Sequence, residues 1–315
     1  MNGTFARRRP ILAWLPLAVV TLGGAITWAV FLGGGLRSIF AWLALQTLVP
    51  LGALALVVGT IAHALWKRRG AARVAVTLAV GLVGLWPAAW LAGQGMIAYP
   101  YRLAETSPSA TVRLPTDAPM RVLWGGDDLA HNRHAMMPDQ RWAYDLVVEP
   151  ALTSSERLED YGCWGTPVVA PISGTVHLAH DGEIDQVPGR PSNELRAPLG
   201  NHVAIALPSG GFLIVAHLQK GSVVAREGEP IAEGTPIGRC GNSGNTSEPH
   251  VHIHAQRQDP RGRPVNFSEG LPLFFRDHDG APMPLGGADV VDDGPVATGA
   301  IVRHLGGARA AAARD

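Results

Sequence analysis

Gly241-Asn-Ser-Gly-Asn-Thr-Ser-Glu-Pro-His250-Val-His252-Ile-His254 joins a glycine-rich turn to three histidines spaced two residues apart. On an extended strand that spacing directs all three imidazoles to one face, because successive side chains alternate between faces. A His-x-His pair alone is ordinary surface chemistry, and its weight comes from what accompanies it. Phe212-Leu-Ile-Val-Ala-His217-Leu is an apolar strand ending in histidine, and Gln140-Arg-Trp-Ala-Tyr-Asp145-Leu-Val-Val sets a carboxylate inside another apolar run. A catalytic zinc site takes about three N or O ligands and leaves a fourth position open for water. These segments contain such a set.

Outward from the motif the pattern stays β. Thr166-Pro-Val-Val-Ala-Pro-Ile-Ser-Gly174-Thr-Val-His-Leu-Ala predicts two short strands around a Pro and Gly turn. Gly200-Asn-His-Val-Ala-Ile-Ala-Leu, residues 211–218, residues 222–225 and Pro236-Ile-Gly predict more strands, parted by glycine turns. Residues 141–148 read as a strand around Asp145. Residues 127–140 read as a polar loop carrying His131 and His134, and residues 180–198 as an inserted loop. No helical period of useful length interrupts them, so the expectation is an all-β domain of antiparallel sheets.

The front of the chain belongs to another environment. None of the 26 acidic residues precedes Glu105, whereas nine of the 26 basic residues do, so a net charge of zero hides a front third of +9 and a remainder of −9. An acidic C-terminal part argues against nucleic acid as a partner. Pro10–Leu32, Ser38–Trp66 and Val74–Gly93 are each long and apolar enough to cross a bilayer, which takes about 20 residues. A cleaved signal peptide is the competing reading of the first, but its apolar run exceeds an h-region and two more spans follow. The second contains Pro50 and is expected to tilt or kink. Basic residues cluster before the first span (Arg7, Arg8, Arg9) and between the second and third (Lys67, Arg68, Arg69, Arg73). The positive-inside rule then leaves the N-terminus in the cytoplasm and everything after the third span outside it. Cys163 and Cys240 fall in that outer part, where a disulfide is chemically permitted. The sequence leaves their pairing open.

The expected organisation is a three-helix membrane anchor at 1–95, an extended Pro-rich linker at 96–120, the β domain at 121–275 and a C-terminal extension at 276–315 with a disordered end. With Gln46 the main polar group in the spans, an anchor is the simpler reading of them.

From Val122 to Gln256 the order of segments resembles the lysostaphin-type zinc metallopeptidases, which cleave peptide bonds in bacterial peptidoglycan. The resemblance is carried by Asp145 in its strand, Ala170-Pro-x-x-Gly174-x-Val176, Gly200-Asn201, Ala216-His217-Leu218, Gly234-x-x-Ile237-Gly238, and Gly241 through Pro249-His250-Val-His252. A biotinyl or lipoyl carrier shares some of these pieces but needs a lysine at a hairpin tip. Lys220, the only lysine after the spans, sits elsewhere. The resemblance implies a grooved, barrel-sandwich-like β domain, with Asp145 and His252 binding Zn2+ and His217 and His250 beside the metal as catalytic residues. It also implies peptidoglycan peptides as substrate.

One position departs from the family pattern, which has His-x-x-x-Asp: four residues before Asp145 stands Arg141. A guanidinium offers no lone pair to a metal. The candidate third ligand is His134, with His131 second. His254 shares the strand face of His252 and either orients it or satisfies a local hydrogen bond. His177, His180 and His202 are expected on the surface or groove wall, and His278 and His304 outside the site. The leading functional expectation is a membrane-anchored zinc endopeptidase. The alternatives are an inactive domain of the same fold that binds cell wall or activates a partner hydrolase, and a membrane sensor without metal.

Overall fold

The computed structural model describes residues 14–66, 71–190, 192, 194–262, 264–291 and 294–306. Arg7 to Arg9 and Lys67 to Arg69, on which the topology reading leans, lie outside the described residues, as do residues 307–315 of the expected disordered end. The chain divides at Pro100/Tyr101 into two compact units.

The first unit is helical. Helix α1 (Leu15–Leu32) is apolar throughout and opens with proline in its first turn, where the missing N–H costs nothing. Helices α2 (Gly35–Gln46) and α3 (Leu48–Trp66) form the second span, and α4 (Ala71–Leu85) continues through a 3-10 turn (Trp86–Ala92) as the third. All three are long and apolar enough to cross a membrane. The break between α2 and α3 is set by Pro50, whose ring would meet the carbonyl four residues back, at Gln46, where α2 ends. Within this unit Tyr99 donates to Ser38 (2.7 Å), which donates to the Phe31 carbonyl (2.8 Å).

The second unit is β. Its strands are β1 (Ala110–Val112), β2 (Met120–Trp124), β3 (Tyr144–Val147), β4 (Pro167–Val169), β5 (Gly174–His180), β6 (Asn201–Ala206), β7 (Phe212–Leu218) and β8 (Pro230–Ile231). They continue with β9 (Pro236–Arg239), β10 (Val251–Gln256), β11 (Gly270–Leu271), β12 (Leu273–Phe275), β13 (Ala288–Val291), β14 (Gly294–Ala297) and β15 (Ile301–Val302). The main sheet is antiparallel with the order β15-β2-β3-β10-β7-β6-β5-β8, and β11 also pairs with β10. Period-two alternation sends Val251, Ile253, Val203, Ile205, Leu213 and Val215 into one core, each fully buried and worth about 1.5–3 kcal/mol relative to exposure. The opposite face of β10 carries His252, His254 and Gln256.

Four expectations are corrected here. The stretch 96–120 is not a free tether: β1 pairs in parallel with β12, and Val112 and Leu114 are fully buried. Ala110, Val112 and Leu114 alternate at strand spacing between prolines, a pattern that composition alone conceals. Nor is the C-terminal extension separate, since β15 hydrogen-bonds along β2. The strand expected at 141–148 is shorter, because residues up to Ala143 turn, with Ala143 N–H bonded to the Gln140 carbonyl. Residues 222–225 form no strand.

Cys163 and Cys240 are joined in a disulfide, with Cα atoms 5.7 Å apart and 77 residues between them in sequence. Closing a loop of that length removes about 4 kcal/mol of unfolded-state entropy. Cys163→Ala should therefore lower the melting temperature of the detergent-solubilised chain by roughly 10 °C, given about 2–4 °C per kcal/mol for a domain of this size. An unchanged melting curve would show that the bridge constrains nothing.

Candidate active site

The registry of three strands builds the site. His252 on β10 lies opposite Asp145 on β3 and opposite Ala216 on β7. Strict alternation along β7 would turn His217 into the core, where Val215 and Leu218 already point. The chain avoids this with a bulge opposite His202 and a left-handed backbone at His217 (φ 62°). Positive φ at a non-glycine residue costs of order 1 kcal/mol, and here it keeps the imidazole among the other site histidines. The motif turn is held against β6 by mutual close approach of Gly200 and Gly244, both at positive φ, where a Cβ on Gly200 would overlap the Ser243 carbonyl. Ser243 then donates to the Leu218 carbonyl (2.7 Å) and accepts from the Asn201 N–H (2.9 Å).

Of the expected ligands, His134, Asp145 and His252 come together. His134 Nε2 is 2.9 Å from Asp145 Oδ2, and His252 Nδ1 is 2.8 Å from Asp145 Oδ1. One ligand atom from each of the three falls within 4.8 Å of the others, and the same holds for His217, His250 and His252. His134 arrives on a short 3-10 turn whose preceding residue, Asn132, accepts its backbone N–H and gives its amide to the carbonyls of Gly126 and Ala143. His131 does not reach the cluster, since its ring binds Asp128 at the surface (2.8 Å). Arg141 faces elsewhere, with its guanidinium 3.0 Å from Asp127 and stacked 5.1 Å above the Trp142 ring.

Hydrogen bonds settle how the imidazoles present themselves. His217 Nδ1 bonds the Ser243 carbonyl and His250 Nδ1 bonds the Glu248 carbonyl, both at 2.8 Å. A carbonyl only accepts, so each Nδ1 carries a proton, and in the neutral ring each Nε2 keeps a lone pair toward the site. Burial, then His250 and His252, hold His217 well below its ordinary value. Burial also pushes His250 down, but the Asp145 carboxylate outweighs it and holds His250 above its ordinary value. Asp145 is opposed by burial and still lies well below the usual carboxylate range because His134 and His250 favour its charge. A cation on Asp145 would oppose its pull on His250.

His254 is buried behind His252 at 2.9 Å and reaches Gln256 at 3.2 Å, so both of its ring nitrogens are engaged along the strand. His180 and His202 stand side by side on the cleft wall, their rings 5.5 Å apart, and His177 pairs with Asp259. His278 and His304 form an isolated bridge away from the site. The cleft above the cluster has a volume of about 1230 Å³ and is lined by His134, Asp145, His217, His250 and His252 among others. Sequence reasoning missed Asn132 and Gln256. Each left a signal: an Asn two residues before His134 is an Asx-turn pattern, and Gln256 continues the two-residue spacing of the histidines.

Beside the cleft Asp139 is fully buried. Its Oδ2 accepts the Asn266 N–H (2.8 Å), its other oxygen has no hydrogen-bond partner, and burial pushes it up to about 6. A carboxyl raised in the folded state contributes full stability below its unfolded value near 4, and that stability is lost as pH rises through about 6. Asp139→Asn should accordingly raise the melting temperature at pH 8, by the equivalent of about 1–3 kcal/mol, with the gain shrinking toward pH 4. A gain that is the same at every pH would contradict a buried, ionising Asp139.

A His/Asp cluster able to hold a metal thus lines the cleft of an antiparallel β domain. Residues 159–267, about a third of the chain, match the model of peptidase family M23, so that stretch of the β unit is similar to this family. His217, His250 and His252 lie inside the match, while Asp145 and His134 precede it. The peptidoglycan DD-endopeptidase ShyA of Vibrio cholerae is 26% identical over 143 residues, covering 45% of this chain and 30% of the relative. The match thus spans under a third of that relative's length. The catalytic domain of the M23 protein EnpA from Enterococcus faecalis is 22% identical, with 40% of this chain and 74% of that chain covered and a TM-score of 0.28. For the catalytic domain of lysostaphin from Staphylococcus simulans the values are 17%, 48%, 86% and 0.28.

Proposed function

We propose that the chain is a membrane-anchored zinc endopeptidase that hydrolyses peptide bonds in peptidoglycan cross-links outside the cytoplasmic membrane. The observation that carries this reading is the meeting of two sets on one cleft floor. His134, Asp145 and His252 form one group able to hold a metal and His217, His250 and His252 another, and in this reading the first holds the zinc while His217 and His250 move protons. Two imidazole nitrogens and one carboxylate oxygen with a side open to the cleft fit zinc, which favours three protein ligands and a water in catalytic sites. Bound zinc would supply an acidified water and a polarised scissile carbonyl. The chain's own groups do the rest. The Nε2 lone pair of His217 or of His250 takes the proton of the attacking water and passes it to the leaving amine. The other imidazole, protonated, hydrogen-bonds the oxygen on which charge develops.

The inactive-domain reading drew on Arg141, and no observation now favours it, because Arg141 is engaged with Asp127 while His134 stands beside Asp145. Peptidoglycan as substrate draws on the M23 match and on the named activity of the Vibrio relative. Anchoring draws on the three apolar helices. The test is metal removal from the full chain in detergent. Chelation should abolish release of cleaved cross-link peptides from purified peptidoglycan, and about one equivalent of zinc per chain should restore it. Cleavage that persists in the stripped protein overturns the reading.

A further inference from the structure

The buried face of β10 does not end at His254. His252 Nε2 lies 2.9 Å from His254 Nδ1, His254 Nε2 lies 3.2 Å from Gln256 Oε1, and Gln256 Nε2 donates to the Gln258 carbonyl at 2.8 Å. His252, His254 and Gln256 are all buried. The far end is held in turn, because the Gln258 side chain accepts from the Ser268 hydroxyl and the Glu269 N–H and donates to the Glu269 carboxylate.

The direction of every bond in this row follows from its last member. A backbone carbonyl cannot donate, so the nitrogen end of the Gln256 amide must face Gln258 and its oxygen must face His254. That oxygen only accepts, so His254 Nε2 carries a proton. The neutral ring then has a lone pair at Nδ1, and His252 must donate to it from Nε2. The remaining nitrogen of His252, Nδ1, lies 2.8 Å from Asp145 Oδ1, which can only accept. In the metal-free chain the ring therefore bonds both neighbours as the imidazolium, and a bound cation would take the place of the Nδ1 proton.

We propose that Gln256 and His254 are positioning residues forming a one-way relay, which sets His254 as its Nε2–H tautomer and reserves the His252 Nδ1 lone pair for the metal. The metal half of this statement rests on the function proposed above, whereas the tautomer of His254 does not. Turning the Gln256 amide over would set its NH2 against the His254 ring and leave an oxygen facing the Gln258 carbonyl, so the row is stable in one direction only. The relay spans three alternate residues of one strand, so pleat geometry aligns its members without help from a loop.

The experiment uses the full chain in detergent and has two arms. In 15N-histidine-labelled, chelator-stripped protein, long-range proton–nitrogen spectra should show His254 protonated at Nε2 and bare at Nδ1, and the reverse tautomer overturns the proposal. In zinc competition against a chromophoric chelator, Gln256→Leu should bind zinc about 10–100-fold more weakly, the range for losing a group that orients a ligand. Equal affinities for wild type and Gln256→Leu overturn the proposal. Wild-type protein that takes up no zinc would sink the function proposed above, and the spectral arm would still decide the relay.

Discussion

His134→Ala, purified as the full chain, should lose both its zinc and its activity. The affinity should fall by more than about 100-fold, the upper end of what removing an orienting partner costs, because a ligand itself is lost. His134 Nε2 sits 2.9 Å from Asp145, closer than His250 Nε2 at 3.4 Å, and its side chain is 16% exposed. Two companions sharpen the test. His131→Ala should change neither property, since that ring is tied to Asp128 at the surface. Asn132→Ala should give an intermediate loss of about 10–100-fold, because Asn132 holds the turn that presents His134. Undiminished zinc in His134→Ala would send the search for the third ligand elsewhere in the cleft.

The second large effect separates binding from chemistry. His217→Ala and His250→Ala should each retain about one zinc while kcat falls about 10²–10⁴-fold, the usual contribution of a positioned proton-transfer group. The expectation rests on tautomer geometry: both rings spend Nδ1 on a backbone carbonyl and keep Nε2 for the site. His252→Ala should lose zinc and activity together, since its Nδ1 lies 2.8 Å from Asp145 and it belongs to both clusters. Zinc titration and muropeptide release on the same preparations distinguish the patterns. A zinc-free His217→Ala would move that residue from proton transfer to metal binding.

The pattern of strands and spans was legible because both rest on local periodicity. Apolar runs of bilayer length mark the helices, and alternation at two residues marks β7 and β10. The motif histidines were legible for the same reason, as neighbours on one strand. His134 was legible only as a candidate, because a loop residue has no periodicity to aim it. Arg141 misled as a position, since counting four residues back from Asp145 assumes a continuous strand and the chain turns at Ala143. The tether misread composition for structure: Pro and Ser between 100 and 120 outweighed the alternation of Ala110, Val112 and Leu114, whose partner strand β12 lies over 160 residues away.

By itself the sequence determined that three apolar segments precede a β domain, and that His217, His250, His252 and Asp145 lie on strands able to share a site. These follow from interactions between residues close in the chain. Only the tertiary structure decided that His134 and not His131 meets Asp145, that His217 turns out of the core through a bulge, that Cys163 bonds Cys240, and that Gln256 backs the histidine row. Each of these depends on the registry of distant strands and on how a loop closes over them, and a register slip of one residue would turn every side chain of β10 to the other face.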